Sequence, residues 1–508
     1  MADPIVVGVD PLANGDIAAV ARGGAAVELS TAARMAIRAA RTQVDKLASA
    51  DSPTYGVSTG FGALATRHIP ADRRTELQHA LIRSHAAGAG EPVEREVVRA
   101  QMLLRLRTMS SGRTGVRESC ADTLAGMLNA GITPVVAEYG SLGCSGDLAP
   151  LSAVALAMTG EGEVHDANGA LVPAADALRA AGIEPLLLSE KEGLALINGT
   201  DGMLGMLLLA LDDLRELLDL VDLTAAMSVE ALLATDRVFA AELQQLRPHP
   251  GQVIAAERMR KFLVDSPIVA SHRGPDCNRV QDAYSLRCAP QVHGAARDTV
   301  AHAASVATIE LESIIDNPVV LDDGRVESNG NFHGAPLGYV LDFLAIPVAD
   351  VASMAERRTD RMLDTARSQG LPPFLAADAG VDSGYMIAHY TQAAVVAELK
   401  RLAVPASTDS IPTSAMQEDH VSMGWAAARK LRKAVDGLST VLAIELLTAA
   451  RALDLRAPLK PAPATGAAVA ALRAQVGGPG PDRHLAPEIA AARALIRDGA
   501  LRASYTLS

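Results

Sequence analysis

The chain has 508 residues, 49% of them hydrophobic and 21% charged, so it can bury a large core without disulfides or a structural metal. The 46 Lys and Arg against 59 Asp and Glu give a net charge of −13, which argues against a strongly basic nucleic-acid binder. Only 3% of the residues are aromatic, whereas Ala and Leu recur throughout. This composition favours helices over strands and predicts a mainly α-helical fold.

The composition predicts two parts of different character. Residues 1–202 mix short helical patterns with many loops rich in Gly, Pro, Ser and Asn, and we expect an N-terminal domain there. Residues 203–508 contain long segments with a period of 3.6 residues, such as 206–236 and 422–456. These segments predict a long helical bundle that continues into partner subunits.

The C-terminal segment is expected to form a helical cap on this bundle. Residues 457–483 are rich in Pro, Ala and Gly and predict an irregular stretch. A last short helix is predicted near residues 486–497.

The cysteines and the N-terminus indicate a reducing, cytoplasmic environment. Cys120, Cys144, Cys277 and Cys288 form no CxxC pair and have no His at zinc-ligand spacing, which disfavours a disulfide framework and a metal site. Residues 1–16 carry acids where a signal peptide carries basic residues. No uncharged apolar stretch reaches the roughly 18 residues of a membrane helix. We expect a cytoplasmic protein that binds neither membranes nor nucleic acids.

Small residues crowd around one serine in YGSLGCSGDLAPL, residues 139–151. One interpretation is a glycine turn, and another is a serine nucleophile, although the G-x-S-x-G elbow requires Gly where Asp147 stands. In a third, the Gly146 nitrogen attacks the Cys144 carbonyl, and two dehydrations, one removing the Ser145 hydroxyl, leave a methylidene-imidazolone ring. No pyridoxal-phosphate lysine, G-x-G-x-x-G or P-loop is present.

This segment resembles the signature of the aromatic amino acid ammonia-lyase and aminomutase family, whose members form such a ring from Ala-Ser-Gly. The resemblance covers nearly the whole chain. Its other blocks, in the family's order, are YGVSTGFG (55–62), SHAAGAG (84–90), NGTD (198–201), VQDAYSLRC (280–288), NGNFHG (329–334) and QEDHVSMG (417–424).

The resemblance implies an L-aspartase-like helical architecture and a specific prosthetic group. The group would be 4-methylidene-imidazol-5-one, formed autocatalytically from Cys144-Ser145-Gly146 without an external cofactor. The family also implies a homotetramer whose active sites are lined by more than one subunit, with Tyr55 and Glu418 coming from different chains.

Besides Ser145, the family's catalytic roles fall on Tyr55, Tyr284 and Glu418, and Asn198 belongs to the substrate-binding residues. Tyr55 resembles the base that removes the β-proton, and its phenol, with a free pKa of about 10, needs a stabilised anion for that task. Tyr284 and Asn198 resemble the residues that contact the prosthetic ring and the amino group. Without the family, Asn198 would be interpreted as a turn residue.

Further positions resemble the substrate-binding residues of the family. Arg287 has the fork of donors that matches a carboxylate at two points, and the family uses this position for the substrate's carboxylate. Gln281 would support the same carboxylate or the ring. The resemblance places Phe332 beside the prosthetic group, and Gln417 joins this substrate-binding set.

Two residues indicate the substrate. The pair Ser84-His85 is polar, whereas members of the family that select phenylalanine have an apolar pair there and members that select tyrosine pair a His with Leu. Glu418 is an acid that those members lack. The ordinary interpretations are an interior histidine for His85 and a helix N-terminal acid for Glu418. Together the two residues suit an imidazole, which carries one donor and one acceptor nitrogen when neutral and a second donor when protonated. The resemblance therefore implies elimination of ammonia from L-histidine to give trans-urocanate, the first step of histidine degradation.

Three alternatives stay open. A tyrosine or modified-histidine ammonia-lyase or aminomutase belongs to the same family, whereas a serine hydrolase and a non-catalytic helical scaffold belong to other classes. The chain departs from the commoner family pattern at Cys144 for Ala, at Asp201 where NGTQ is usual, at Met416 for Asn, and in ELESIIDNP (310–318).

Overall fold

The computed structural model describes residues 3–50, 54–60, 62–64, 66–274, 277 and 280–505. The protein is mainly α-helical, which confirms the predicted fold class. Up to residue 200 the α-helices are Asn14–Ala21, Thr31–Ala48, Arg74–His85, Arg95–Ser110, Glu118–Asn129, Leu148–Met158, Ala174–Ala180 and Glu192–Ile197. Beyond it they are Asp201–Ala231, Ala241–Gln245, Pro250–Phe262, Pro267–Ser271, Tyr284–Arg287, Ala289–Glu312, Ala335–Leu363, Met386–Leu402, Gly424–Asp454, Pro463–Arg473, Ala486–Arg497 and Ala500–Ala503.

The strands are short and pair locally. Ile5–Val7 runs parallel to Val27–Leu29, whereas the antiparallel pairs are Ala89–Pro92 with Ala137–Tyr139, Thr133–Pro134 with Glu163–His165, Glu163–His165 with Leu171–Pro173, and Val319–Val320 with Val326–Glu327. Short 3₁₀ turns lie at Gly62–Leu64, Ala71–Arg73, Arg237–Phe239, Pro373–Leu375 and Ser414–Met416. The pairing of Ala89 with Tyr139 anchors the strand that leads directly into the loop of Ser145.

The two longest helices follow the predicted periodicity. Asp201–Ala231 and Gly424–Asp454 have 31 residues each, close to the predicted segments 206–236 and 422–456. Leu and Ala dominate both, and these residues lose little side-chain freedom in a helix.

The C-terminal prediction is partly wrong. Residues 457–483 contain the helix Pro463–Arg473, where an irregular stretch was expected. Pro463 occupies the first helical position, where its missing N–H is not needed, and the Ala-rich run after it continues the helix. The helix Ala486–Arg497 confirms the predicted last helix, and a short turn of helix, Ala500–Ala503, follows it.

The chain folds into two compact units that are each built from several chain segments. The first comprises Met1–Leu209, Ala304–Asp342 and Pro405–Arg429, and the second comprises Ala210–Ala303, Phe343–Val404 and Lys430–Ser508. The blocks at 329–334 and 417–424 therefore lie in the same unit as the Cys144-Ser145-Gly146 triplet. The division into domains at residue 202 stays a prediction.

Two spans in the described part of the chain are long and apolar enough to cross a membrane. They are Glu192–Ala231 and Ala335–Leu363, and their most apolar windows are 100% and 67% buried inside the protein. The core helix of a folded protein meets the same criteria of length and composition, so these spans carry little weight as evidence of a membrane segment.

A buried ion pair ties helices of the second unit together. The side chains of Arg358 and Glu445 are both fully buried, with Arg358 Nε 2.5 Å from Glu445 Oε1. The hydroxyls of Thr224 and Ser228 also donate to this carboxylate, at 2.7 and 3.1 Å. The charge of Glu445 is thus compensated only by this arginine and two neutral donors among the described contacts.

We expect Arg358→Met to lower the free energy of unfolding by about 3–5 kcal/mol, because it leaves a buried carboxylate without a counter-charge. The matched control is Arg401→Met, since Arg401 is 71% exposed and pairs with Glu398 on the surface. Denaturant unfolding of both variants measures the difference. Equal losses in the two would contradict the assigned role of the buried pair.

Candidate active site

Ser145 lies in a loop between the strand Ala137–Tyr139 and the helix Leu148–Met158. Its neighbour Gly146 has φ +81°, in the left-handed region that favours glycine. A Cβ at Gly146 would lie 2.2 Å from Gly199 O, so no side chain fits between the two backbones. The triplet and the NGTD block are therefore in direct backbone contact.

The carboxylate of Asp147 fixes this loop to the long helix Asp201–Ala231. It accepts hydrogen bonds from Gly202 N at 2.9 Å, Met203 N at 3.0 Å and Ser141 Oγ at 2.9 Å. Burial raises the pKa of Asp147 to about 7, although these three donors favour the ionised form. In the sequence, Asp147 is noticed only because it replaces the last Gly of the G-x-S-x-G pattern. Its anchoring role was not predicted, and the signal for it is an acid directly after the triplet.

Two blocks distant in the sequence bind the other side of the loop. Gly143 O accepts hydrogen bonds from Gly334 N at 2.9 Å and from Ser422 Oγ at 2.6 Å. Met423 N donates to Leu142 O at 2.9 Å. The structure thus brings NGNFHG and QEDHVSMG against the triplet, as their shared assignment to one site predicts.

Glu418 lies directly over the triplet. Its Oε1 accepts a hydrogen bond from Ser145 Oγ at 2.6 Å. Its Oε2 lies 3.4 Å from Cys144 Sγ and 3.0 Å from Thr413 Oγ1, and both groups donate to it. Thr413 lies four residues before the QEDHVSMG block, and no sequence pattern singles it out.

Tyr55 is half-buried, and its hydroxyl oxygen accepts a hydrogen bond from Gly62 N at 3.3 Å. Burial and the nearby Glu418 carboxylate raise the pKa of Tyr55, whereas the Gly62 N–H opposes that shift. Glu418 of the same chain acts on the pKa of Tyr55, and the expectation that the two residues come from different chains stays a prediction. Nothing in the sequence indicates that the segments of Tyr55 and Glu418 lie close together within one chain.

His85 ends the helix Arg74–His85 and is half-buried. Its Nδ1 lies 2.9 Å from Leu81 O and 3.0 Å from Ser84 Oγ. A carbonyl only accepts, so Nδ1 carries the proton of the neutral ring and Nε2 is an acceptor. Burial lowers the pKa of His85, while Leu81 O and Glu418 oppose that shift, so the ring is neutral at pH 7.

Three further predicted residues lie in the same unit. Asn198 is 4% exposed and donates through Nδ2 to Asn317 O at 3.3 Å, while its Oδ1 is buried without a partner among the described residues. Phe332 is half-buried in the loop that reaches the triplet. Gln417 is exposed, and its backbone N donates to Ser414 O at 3.1 Å.

Gln281, Tyr284 and Arg287 lie in the second unit and form a group of their own. The Arg287 guanidinium carbon lies 4.8 Å from the centroid of the Tyr284 ring, a cation–π geometry. Arg287 Nε is buried without a partner in the described part of the chain. Gln281 is exposed, and Tyr284 is 70% exposed.

The departure from the family pattern at Asp201 has a structural explanation. Its carboxylate accepts two hydrogen bonds from Arg105, one of them from Nε at 3.1 Å. Both side chains are buried, so the acid compensates a buried cation. Asp201 therefore holds the NGTD block in place through Arg105.

Comparison with known proteins identifies the family. The sequence model described as aromatic amino acid lyase matches residues 12–474. The chain belongs to the aromatic amino acid lyase family. It is 64% identical over 501 residues to a histidine ammonia-lyase of Streptomyces coelicolor, covering 98% of each chain.

Solved structures of this family share the fold. A tyrosine aminomutase from Streptomyces globisporus superposes with a TM-score of 0.93 at 36% identity, over 100% of both chains. A histidine ammonia-lyase from Trypanosoma cruzi superposes with a TM-score of 0.90 at 38% identity, over 99% of this chain and 95% of that one. The family resemblance seen in the sequence is confirmed, and both a tyrosine aminomutase and a histidine ammonia-lyase have this fold.

The pKa of Asp147 generates a test of its burial. Its pKa of about 7 lies above the usual value of about 3.9 for an unfolded chain, so its contribution to stability is present at low pH and lost as the pH rises through 7. Between about pH 5 and 7 we expect the stability of the wild type relative to Asp147→Asn to fall by about 1.4 kcal/mol per pH unit.

Urea unfolding of both proteins across this range measures that slope. The difference should level off above about pH 7, where Asp147 is ionised in both states. A difference that does not change with pH would contradict the raised pKa.

Proposed function

We propose that this chain eliminates ammonia from L-histidine to give trans-urocanate. The observation that carries the proposal is the Glu418 carboxylate, 2.6 Å from Ser145 Oγ and within electrostatic range of Tyr55 and His85. An acid at this position supplies a partner for an imidazole N–H. The 64% identical relative named histidine ammonia-lyase supports the same substrate.

The triplet fits the prosthetic group that the family implies. We propose that Cys144-Ser145-Gly146 closes into 4-methylidene-imidazol-5-one, because Gly146 has an unhindered amide in a left-handed turn. The backbone contact with Gly199 and the hydrogen bonds of Asp147 hold that turn. When formed, the ring supplies an electrophile that makes the amino group a better leaving group. No external cofactor enters the proposal.

Tyr55 is the proposed base for the β-proton. In the free chain, burial and Glu418 raise the pKa of its phenol, so it needs a nearby positive charge to act as a base near pH 7. The ammonium group of a bound amino acid supplies one, and the Gly62 N–H stabilises the phenolate. Substrate binding and base activation are therefore coupled in this proposal.

Glu418 and His85 are the proposed determinants of substrate choice. Glu418 accepts an imidazole N–H, and Nε2 of His85 is a second acceptor, so the pair suits the protonated imidazole with its two N–H donors. L-Phenylalanine would leave Oε1 of this half-buried carboxylate without a donor once the ring has formed, at a cost of about 1–3 kcal/mol. A tyrosine or modified-histidine lyase or aminomutase is the second candidate, because a tyrosine aminomutase shares this fold.

The remaining site residues hold the two ends of the amino acid. Arg287 binds the substrate's carboxylate through its fork, with Gln281 beside it, and its unpartnered Nε is available for such a contact. The unpartnered Oδ1 of Asn198 accepts from the amino group, and Tyr284 contacts the ring. Phe332 and Gln417 line the same substrate site.

We propose a cytoplasmic homotetramer with shared active sites. Tyr284 is 70% exposed and Val280 93% exposed in the single chain. A second copy of the chain that covers this surface would exclude water from it, as a catalytic environment requires. Size-exclusion chromatography with light scattering tests the assembly.

The direct test combines intact mass with absorbance. The wild-type chain should weigh two water molecules less than its sequence, and L-histidine should produce the urocanate band. Ser145→Ala should keep its full mass, remain folded and form no urocanate. A coumarate band from L-tyrosine would favour the second candidate, and an unmodified, inactive wild type would contradict the proposal.

Gly146→Ala should prevent ring formation, because its Cβ would lie 2.2 Å from Gly199 O. Gly169→Ala is the matched control, since Gly169 has the same φ of +81° and a Cβ added there would have nothing within 4 Å. Intact mass should show the loss of two waters in the control alone. A mature ring in Gly146→Ala would contradict the assigned geometry.

A further inference from the structure

The two oxygens of the Glu418 carboxylate are held by different groups. Oε1 accepts only from Ser145 Oγ, at 2.6 Å, among the described contacts. Oε2 accepts from Thr413 Oγ1 at 3.0 Å and lies 3.4 Å from Cys144 Sγ. Loss of the Ser145 hydroxyl therefore removes the donor to Oε1 and leaves the donors to Oε2 in place.

The turn that carries Glu418 is held in a strained conformation. Ser414, Ala415 and Met416 all have positive φ, at 53°, 53° and 69°, in the left-handed region that costs a non-glycine residue about 1 kcal/mol or more. Thr413 and Glu418 close the turn through two backbone hydrogen bonds, of 3.0 and 3.3 Å. Their side chains are thereby placed next to each other.

Ring closure removes one of the donors. The Gly146 nitrogen bonds to the Cys144 carbonyl carbon, and that carbonyl's oxygen leaves as one water with the amide protons of Gly146 and Ser145, which leaves a C=N bond to the Ser145 nitrogen. The second water takes the Ser145 hydroxyl together with the Ser145 α-proton. Both waters are released, no electrons are gained or lost, and Oε1 of Glu418 loses its hydrogen-bond donor.

We infer that Thr413 and Cys144 are positioning residues that keep Oε2 of Glu418 occupied, so that ring closure frees Oε1 alone for the substrate's imidazole N–H. This inference rests on the proposed function and identifies the residues that orient Glu418, the acid proposed to recognise the substrate. Before closure, Ser145 occupies the recognition oxygen, so the immature site is blocked by its own precursor.

The chemistry of Cys144 agrees with a donor role. Burial, together with Glu418, raises the pKa of its thiol to about 12, so the group stays protonated and does not repel the carboxylate. The alanine that is usual at this position has no such donor. A thiol is a weak donor, so Thr413 carries most of the effect.

Affinity for L-histidine in a Ser145→Ala background isolates this role, because that protein forms no ring and turns over no substrate. Adding Thr413→Val, which keeps the shape but removes the hydroxyl, should weaken binding about tenfold or more in calorimetry. Thr413→Ser, which keeps the hydroxyl, should bind within about twofold of the background. Cys144→Ala should weaken binding less than Thr413→Val does.

In otherwise wild-type protein, Thr413→Val should keep the loss of two waters and raise the KM for L-histidine more than it lowers kcat. Thermal unfolding checks that the turn is intact, and rescue by Thr413→Ser excludes a purely structural effect. The inference would be overturned if Thr413→Val bound L-histidine as tightly as the Ser145→Ala background, or if Thr413→Ser weakened binding as much as Thr413→Val. In either case the wild type would still form urocanate, and the proposed function would stand. Absence of urocanate from the wild type would overturn the proposed function and this inference with it.

Discussion

The close contact between the backbones of Gly146 and Gly199 is the constraint on which the site depends. It admits no side chain at Gly146, and it places the triplet at the start of the helix Asp201–Ala231. Asp147 completes the connection by accepting from two amides of that helix's first turn. A loop rich in glycine is thus hydrogen-bonded to the start of a 31-residue helix.

A single negative charge organises the chemistry around this loop. Glu418 donates no proton to its neighbours but accepts from Ser145, Cys144 and Thr413, and it raises the pKa of Tyr55. Such a site is poorly suited to a neutral aromatic ring and well suited to a ligand that brings N–H donors and positive charge. In the proposed reaction substrate choice follows from this carboxylate, whereas activation of Tyr55 requires a positive charge that offsets it.

The departures from the family pattern acquire different meanings in three dimensions. Asp201 neutralises the buried Arg105, and Cys144 offers a thiol to Glu418. Met416 adopts a left-handed conformation that asparagine, the usual residue, tolerates better. Cys144 alone among these three contacts Glu418, the proposed substrate-recognising acid, whereas Asp201 compensates a buried cation. Nothing in the structure explains Met416.

The helical class, the two 31-residue helices and the family could all be predicted from the sequence alone, because composition, periodicity and ordered motifs are local properties of the chain. The helix Pro463–Arg473 could not, since a proline suits both a loop and a first helical turn. Tertiary folding brings Tyr55, Ser145 and Glu418 together within one chain and gives Asp147 and Thr413 their roles. Those roles are contacts between residues far apart in sequence or across a strained turn, and no local pattern encodes which partner a carboxylate meets.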